Sequence, residues 1–355
     1  MIGERIKRAR NAAGLSLREL GKRAELSATA ISKFEQGKSK PTSQTLIRLA
    51  RALGTRSEFF LRPTTVELQR PEYRKRSSLP KKQLARVEAD ILDQIERFLD
   101  LLSLFPTPPV ARFKVPTSVP KRVASHQEVE KAALAVRKAW QLGQNAIPCL
   151  AATIEEHGVL VLSTNIDRSA KFDGLAASVG GLPVIALGAD WPGDRQRFTM
   201  AHELGHLVLG DRLADGLDEE KACNCFAGAF LVPLPTVQHE LGKHRNRLEP
   251  RELYALKHEY GLSMMGWVFR AVAAGVITDS TKTKIFRFFS AKGWRKQEPG
   301  KPIDSETPKL FERLVLRALA EKMISTSKAA ELMGMSVATF RHRLRFEAPR
   351  GAAHQ

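Results

Sequence analysis

The chain has 355 residues, of which 43% are hydrophobic, so it can form two or three folded domains and is not a wholly disordered protein. Its three cysteines, the lack of a long uncharged apolar run and the lack of an apolar core in its first residues argue against a disulfide-stabilised, membrane-spanning or exported protein. We therefore expect a reduced, cytoplasmic one. The net charge of +19 lies at the two ends: residues 1–90 carry +12, residues 91–280 carry −2 and residues 281–355 carry +9. This distribution is typical of polyanion binding at the ends, although a soluble surface rich in lysine and arginine produces it too.

Residues 2–54 are predicted to form a compact all-α unit, because their apolar residues recur at helical spacing. Gly14 should end the first helix, and Ser16 and Ser27 can cap the next two. Gly37 should end the third helix.

Two short helices joined by a tight turn form a helix-turn-helix, whose second helix enters the DNA major groove. Here Leu17–Ala24 would be the scaffold helix and Ala28–Gln36 the recognition helix, with Ile31 and Phe34 facing inward. The candidate DNA contacts are outward-facing residues of these helices and the lysines that follow: Arg18, Ala28, Thr29, Ser32, Lys33, Lys38 and Lys40.

The stretch from Leu15 to Gly54 resembles the Xre/Cro-type helix-turn-helix family, most specifically in the pattern SxxxISKFEQGKxxP. The resemblance implies a DNA-binding domain over residues 1–62. Leu17 stands where family members commonly carry a phosphate-binding glutamine, and Ala28 stands where a long polar base-contacting residue is common. Base discrimination is therefore expected to be modest, and the alternative is a helical interaction module that has lost DNA binding.

Residues 63–125 are predicted to be a linker that carries one amphipathic helix. The segment 62–80 is basic and punctuated by prolines, which is typical of an extended arm. Pro80 then begins a helix with one apolar face, and a second proline-rich connector follows at 105–120.

From residue 126 to 280 the pattern predicts an α+β domain. Residues 158–164 have the β-branched content of a strand, and residues 174–187 suggest a hairpin that turns at Gly180-Gly181. Helices are expected at about 127–142, 148–157, 195–210, 219–231 and 250–260.

The strongest chemical signal is the HExxH sequence within the 195–210 helix. His202 and His206 lie four residues apart, so both imidazoles share one face and can ligate one metal ion. Glu203 is offset around the helix and can act as a general base on a metal-bound water. Two histidines and a carboxylate around one open position form a catalytic zinc site, so we expect Zn²⁺.

A third ligand is expected from the acidic start of the 219–231 helix, where Glu220 is the first choice and Glu219 the second. Asn224 lies one turn after Glu220 and could support the site from behind. The alternative ligands His239, His244 and His258 all lie in polar, surface-like settings, and Cys223 and Cys225 are expected to be small buried helix residues.

These segments resemble the ImmA/IrrE family of zinc metallopeptidases. The family pattern is an RxRFTxAHExxH helix followed by an acidic residue and an NxFA segment, and this chain matches it at 195–206 and 220–233 with Cys223 in place of the usual alanine. The resemblance implies a zincin-like fold, zinc ligation by His202, His206 and Glu220, and catalysis by Glu203. It also implies cleavage of a repressor, and fusions of this peptidase to an Xre-type domain form a subgroup of the family.

Residues 281–355 are predicted to be a basic, helical C-terminal region. Two short helices around Gly334, with Ser327 and Ser336 as candidate caps, suggest a second helix-turn-helix. In that case Thr339, Arg341, His342 and Arg343 would lie near DNA; otherwise the segment packs on the peptidase or forms a dimer.

The whole chain is thus expected to be a multidomain DNA-binding regulator with a zinc endopeptidase domain that cleaves a repressor or antitoxin-type protein, and a homodimer is one expected state. The alternative is a non-catalytic regulator or antitoxin whose peptidase-like domain senses a ligand. A pure sensor has no need of Glu203, which favours the enzyme.

Overall fold

The structure is a computed structural model that describes residues 2–61, 80–164 and 172–345. The predicted basic arm at 62–80 lies outside the described residues except for Pro80. The chain divides into two compact units. The first contains the residues up to Pro109 and those from Phe311 onward, and the second contains the residues between Val110 and Leu310.

The first unit begins with a bundle of short helices around the buried side chains of Ile6, Leu20, Ile31 and Leu49. Ser16 caps the second helix in a capping box with Glu19, and Ser27 caps the third, as the sequence predicts. The helices are α1 (Ile2–Ala12), α2 (Leu17–Ala24), α3 (Ala28–Glu35) and α4 (Ser43–Leu53), followed by a 3-10 helix at Ser57–Leu61.

The turn between α2 and α3 depends on a close backbone approach. A Cβ atom at Gly21 would lie 2.6 Å from the carbonyl oxygen of Leu26, so only glycine fits there. Glu25 ends α2 in the left-handed conformation with a φ of 55°. Together they produce the sharp turn that a helix-turn-helix requires.

The next helix, α5 (Lys81–Leu102), begins after Pro80 as predicted and packs against α1. Arg5 Nη1 donates to Glu96 Oε2 at 2.8 Å, and Arg8 pairs with the other oxygen of the same carboxylate. Both Arg5 and Glu96 are buried, and α5 lies in the same compact unit as α1.

In the second unit, two helices precede a small mixed sheet. The hairpin of β2 and β3 turns at Gly180-Gly181 as predicted, and β1 pairs in parallel with β3, giving the order β1-β3-β2. The elements are α6 (His126–Ala139), α7 (Leu150–Glu156), β1 (Leu160–Thr164), β2 (Gly174–Val179) and β3 (Leu182–Gly188).

Further helices complete the second unit around one large core that includes Met200, Phe226, Phe230 and Trp267. The observed α+β architecture after a helix-turn-helix region confirms the predicted fold class. The helices are α8 (Gly193–Leu209), α9 (Glu219–Leu231), α10 (Leu234–Leu241), α11 (Pro250–Tyr260), α12 (Met264–Ala273) and α13 (Asp279–Ala291), with a 3-10 turn at Gly210–Arg212. Of these helices, α8 is the one that packs on β2 and β3.

An extended segment, residues 301–309, is bound to the first turns of α7 and α8. Gly193 donates its amide proton to the carbonyl of Ile303 at 2.9 Å. The carboxylate of Glu306 accepts from the backbone amides of Leu150 and Ala151 and pairs with Arg197. This segment therefore ties the start of α8 to α7.

The C-terminal helices are α14 (Leu310–Ala320), α15 (Thr326–Leu332) and α16 (Val337–Leu344). Arg97 of α5 donates to the carbonyl of Leu332 at 2.9 Å, and Arg56 donates to that of Met335 at 3.0 Å. The candidate cap Ser327 is wrong: Ser325 accepts the amide proton that caps α15, so Ser327 lies inside the first turn.

The two compact units divide the chain near residues 110 and 310, so that α5 and the tail lie in the same unit as the N-terminal helices. The predicted boundaries at 62, 125 and 280 stay predictions. The separate roles assigned to the four predicted segments stay a prediction. Among the helices that the structure describes, none is both long and apolar enough to cross a membrane.

Candidate functional site

The HExxH sequence lies in the last two turns of α8. Met200, Leu204 and Val208 are fully buried on the face of α8 that packs into the core. His202 and His206 are half-buried on another face, with their ring centroids 4.9 Å apart. The packing of α8 thus fixes the two imidazoles side by side, as their spacing predicts.

Glu220, in the first turn of α9, meets both imidazoles. Its two oxygens lie 3.4 Å from Nε2 of His202 and 3.5 Å from Nε2 of His206. The two Nε2 atoms are 3.2 Å apart. The nitrogens and the carboxylate thus converge on one point, and this trio is a group of ligand atoms that could hold a metal ion.

A glycine allows α9 to approach α8 this closely. A Cβ atom at Gly205 would lie 3.3 Å from Cα of Cys223 and 3.3 Å from a ring carbon of Phe226. Such contacts are tight, so a side chain at Gly205 would require its neighbours on α9 to shift by a few tenths of an ångström.

The other nitrogen of each imidazole also has a partner on α9. Nδ1 of His202 lies 3.1 Å from Oδ1 of Asn224, and Nδ1 of His206 lies 2.8 Å from Oε1 of Glu219. Such contacts orient a histidine and select the tautomer that leaves Nε2 available for a metal. Asn224 is therefore placed as predicted, whereas Glu219, the second-choice ligand, contacts His206 on the side away from the cluster.

Glu203 is half-buried in α8, directly after His202. Three other histidines, the alternative ligands His239, His244 and His258, are exposed and are not members of the cluster. The structure thus brings together His202, His206 and Glu220 and leaves those three aside.

The cysteines of α9 do not line the cluster. Cys223 is fully buried in the core, and Cys225 is half-buried near the carboxylate of Glu130. Burial, with the negative charge of Glu130 as a smaller cause, raises the pKa of the Cys225 thiol to about 12. Both cysteines were expected to be small buried helix residues. Cys223 is fully buried, whereas Cys225 is only half-buried.

The start of α8 is anchored by Arg197, which the structure buries. Its guanidinium pairs with Glu306 and donates to the carbonyl of Ile147 at 2.7 Å. Arg195 instead faces outward, bonds to Asp173 and stacks over the ring of Trp191 at 3.6 Å. Both arginines precede His202 and His206 on α8, and of the two it is Arg197 that is buried.

A cavity of about 1200 Å³ lies next to residues that adjoin the cluster, and no sequence motif predicts it. Phe198, one turn before His202 on α8, forms part of its wall, and so does Asn224. Its other residues come from several elements, among them α6, α10, α11, α12 and the segment after α13, so no single stretch of sequence predicts it. The aromatic and basic content of residues 286–296 is a signal that could have indicated part of its wall.

In the first unit, the recognition helix α3 presents the predicted face. Ile31 is fully buried and Phe34 packs against the core, so both point inward as expected. Gln36, which donates to the hydroxyl of Ser32 at 2.9 Å, is exposed one turn later and was not predicted. Of the candidate contacts, Arg18, Thr29, Lys33, Lys38 and Lys40 are exposed, and Ala28 and Ser32 are half-buried.

The tail carries a second pair of short helices, α15 and α16. Thr339 and Arg341 are exposed on α16, and His342 is half-buried. Arg343 is exposed but paired with Glu312 at 2.7 Å. DNA contact by this pair stays a prediction.

Comparison with known proteins places two families on the chain. Residues 6–60 match the family described as helix-turn-helix, and residues 154–271 match a peptidase family described as IrrE N-terminal-like domain. No curated protein gave a match. Among solved structures, ComR from Streptococcus suis aligns over 97% of this chain and 94% of that chain with 14% identity and a TM-score of 0.16, too low to support any argument.

Proposed function

The chain joins a helix-turn-helix DNA-binding domain to a domain of the IrrE N-terminal-like peptidase family, and on that basis we propose that it is a zinc-dependent endopeptidase tethered to DNA. Its substrate is a repressor or antitoxin-type protein. The protein acts in the cytoplasm as a transcriptional regulator, and a homodimer would let two recognition helices reach two half-sites.

One observation carries the enzymatic part of the proposal: the convergence of His202, His206 and Glu220 within 4.8 Å. Two imidazole nitrogens and one carboxylate oxygen are the donor set that suits zinc with one coordination position open. The contacts of Asn224 and Glu219 with the outer nitrogens supply the support that such ligands require. The residues present therefore fit a zinc ion.

When bound, zinc would polarise a peptide carbonyl and lower the pKa of water. The residues of the chain do the rest. Glu203 accepts a proton from the attacking water and returns it to the leaving amine, because its carboxylate directly follows a ligand on α8. The buried pairing of Arg197 with Glu306 keeps α8 fixed while this occurs.

The DNA-binding part rests on the exposed face of α3. Lys33 and Lys38 are exposed where phosphates would lie, and the net charge of residues 1–90 is +12. Since Ala28 and Ser32 are short and half-buried, phosphate contacts should contribute more to affinity than base contacts.

The test uses the full chain supplied with zinc and incubated with repressor proteins encoded near it. We expect cleavage of one of them, loss of cleavage with a chelator, and loss of cleavage in Glu203→Gln with zinc content unchanged. The proton transfer is worth roughly 10²–10⁴-fold in rate. A protein that binds zinc and DNA but leaves every candidate intact would instead be a non-catalytic sensor.

A further inference from the structure

The cavity beside the metal cluster has a wall that the reaction chemistry does not use. Its volume of about 1200 Å³ is several times that of one side chain, so it can hold a run of residues rather than a single one. Most of its lining is apolar, including Trp191, Phe198, Leu262, Met265, Phe269 and Trp294.

At one end, the wall of the cavity includes two residues next to the cluster, Phe198 and Asn224. Phe198 lies four residues before His202, so the two side chains share a face of α8. Asn224, the partner of His202 Nδ1, is also part of the wall. A chain lying in the cavity would therefore come within one residue of His202.

The charges inside the cavity are neutralised by one another. Lys257 lies 3.1 Å from the carboxylate of Asp194 and 2.8 Å from that of Glu298. Arg270 pairs with both oxygens of Glu130. The interior thus offers apolar surface and no uncompensated cation among these residues.

The mouth of the cavity is different, because it is basic. Arg295 and Lys296 line it and are exposed. They continue a basic and aromatic surface on α13 and the turn after it, which carries six basic side chains and one acidic one over residues 279–297. Phe269 is 52% exposed and contacts Phe286 on this surface with ring centroids 5.2 Å apart.

We propose that this cavity and its basic mouth bind the substrate polypeptide through a segment in which apolar side chains alternate with acidic ones. The apolar side chains enter between Phe198, Phe269 and Trp294, and the carboxylates pair with Arg295 and Lys296. This assignment rests on the proposed endopeptidase function and names the class of polypeptide that it takes. The apolar interior favours a polypeptide over a nucleic acid, whose charged backbone gains nothing from it.

Binding is tested by fluorescence anisotropy on the full-length Glu203→Gln protein supplied with zinc, so that no turnover is needed. The probes are short labelled peptides of leucine with glutamate, leucine with lysine, and glycine with glutamate. We expect the leucine–glutamate peptide to bind at least about tenfold more tightly than the other two, and more weakly as salt is raised. Equal binding of the leucine–lysine peptide would overturn the proposal.

Two variants and a matched control locate the site. Arg295→Glu with Lys296→Glu should weaken binding of the leucine–glutamate peptide by at least about tenfold. Lys243→Glu with Arg251→Glu makes the same charge change at exposed positions of the second unit outside the cavity and should alter it by less than about twofold. Equal losses in both double variants would reduce the effect to net charge and refute the site.

The apolar half is tested by Phe269→Ser, which is tolerable because the ring is half exposed. This substitution should lower the affinity for the leucine–glutamate peptide by roughly tenfold. An unchanged affinity, or displacement of the peptide by single-stranded DNA as readily as by unlabelled peptide, would contradict the proposal.

The outcomes separate this proposal from the one on which it rests. If the variants change peptide affinity as expected but the wild-type protein cleaves no candidate, the endopeptidase proposal is refuted and the binding site is retained. Cleavage that proceeds equally well in Arg295→Glu/Lys296→Glu and Phe269→Ser would keep the endopeptidase and remove this site.

Discussion

The recognition helix α3 and the metal-cluster helix α8 are held in place in different ways. α3 is positioned by residues of the first 35: Ser27 caps its start, and Arg10 donates two hydrogen bonds to Glu35, its last residue. α8 depends on distant ones, since Arg197 is paired with Glu306, 109 residues along the chain. The support of α3 therefore comes from within the first 35 residues, whereas part of the support of α8 comes from a segment far from it in the sequence.

The largest test of this comparison is loss of the metal without loss of DNA binding. His202→Ala or His206→Ala removes a proposed ligand and should lower the affinity for zinc by about a thousandfold or more, roughly 4 kcal/mol. Elemental analysis and a gel shift on the same preparation measure both properties. Full zinc occupancy in the double variant His202→Ala/His206→Ala would refute the assignment of the metal site.

A second prediction concerns the stability of the first unit. Glu96→Gln leaves Arg5 buried without its carboxylate, which should destabilise that unit by about 3–5 kcal/mol. Asp93→Asn, on the same helix, breaks a more exposed pair with Arg97 and should cost about 1 kcal/mol or less. Urea unfolding followed by circular dichroism compares the two, and equal midpoints would show that α5 does not stabilise the N-terminal helices.

The outer partners of the histidines should give a smaller effect. Glu219→Gln and Asn224→Ala should each lower the affinity for zinc by about 10–100-fold, because the native side chains orient the imidazoles without being ligands. Lys221→Ala is the matched control, exposed on the same helix. Competition with a chromogenic chelator measures the affinity; values like those of His202→Ala would make Glu219 a ligand.

On the DNA side, Lys33→Glu should weaken binding by roughly tenfold and make it less dependent on salt. Lys7→Glu carries the same charge change on α1, where the side chain is exposed but not on the recognition helix, and should have little effect. The gel shift is repeated across salt concentrations. Binding that survives deletion of residues 1–62 would move this function to the tail.

The smallest expected effect concerns the thiol of Cys225. Its pKa is raised from 9.0 to about 12 in the folded protein, so folding favours the neutral thiol. That contribution is complete below pH 9 and is lost as pH rises toward 12. Alkylation followed by mass spectrometry should therefore be slow at pH 9 in the folded protein and fast in urea; equal rates would mean that Cys225 is not buried.

The elements with clear end signals were predictable. α9 and α11 have the predicted bounds, because Asp218 caps the first and Gly261 ends the second in the left-handed conformation. The metal cluster was predictable too, since a helical spacing fixes the two histidines and an acidic helix start follows them.

The rest depended on pairing between distant segments. Nothing in the sequence of β1 indicates that it lies beside β3 rather than beside β2. The apolar faces of α5 and the tail helices predict burial, but they do not say against what. The cavity wall draws on separate elements, so its aromatic side chains have no common pattern.

The bond between Glu306 and Arg197 also decides how the peptidase-like unit can be produced alone. A fragment that stops at 280, where the sequence suggests a boundary, loses the carboxylate and leaves the guanidinium of Arg197 buried without its partner. Such a loss costs about 3–5 kcal/mol, a large part of the stability of an ordinary domain. The useful truncation therefore begins near Val110 and keeps every residue through Leu310.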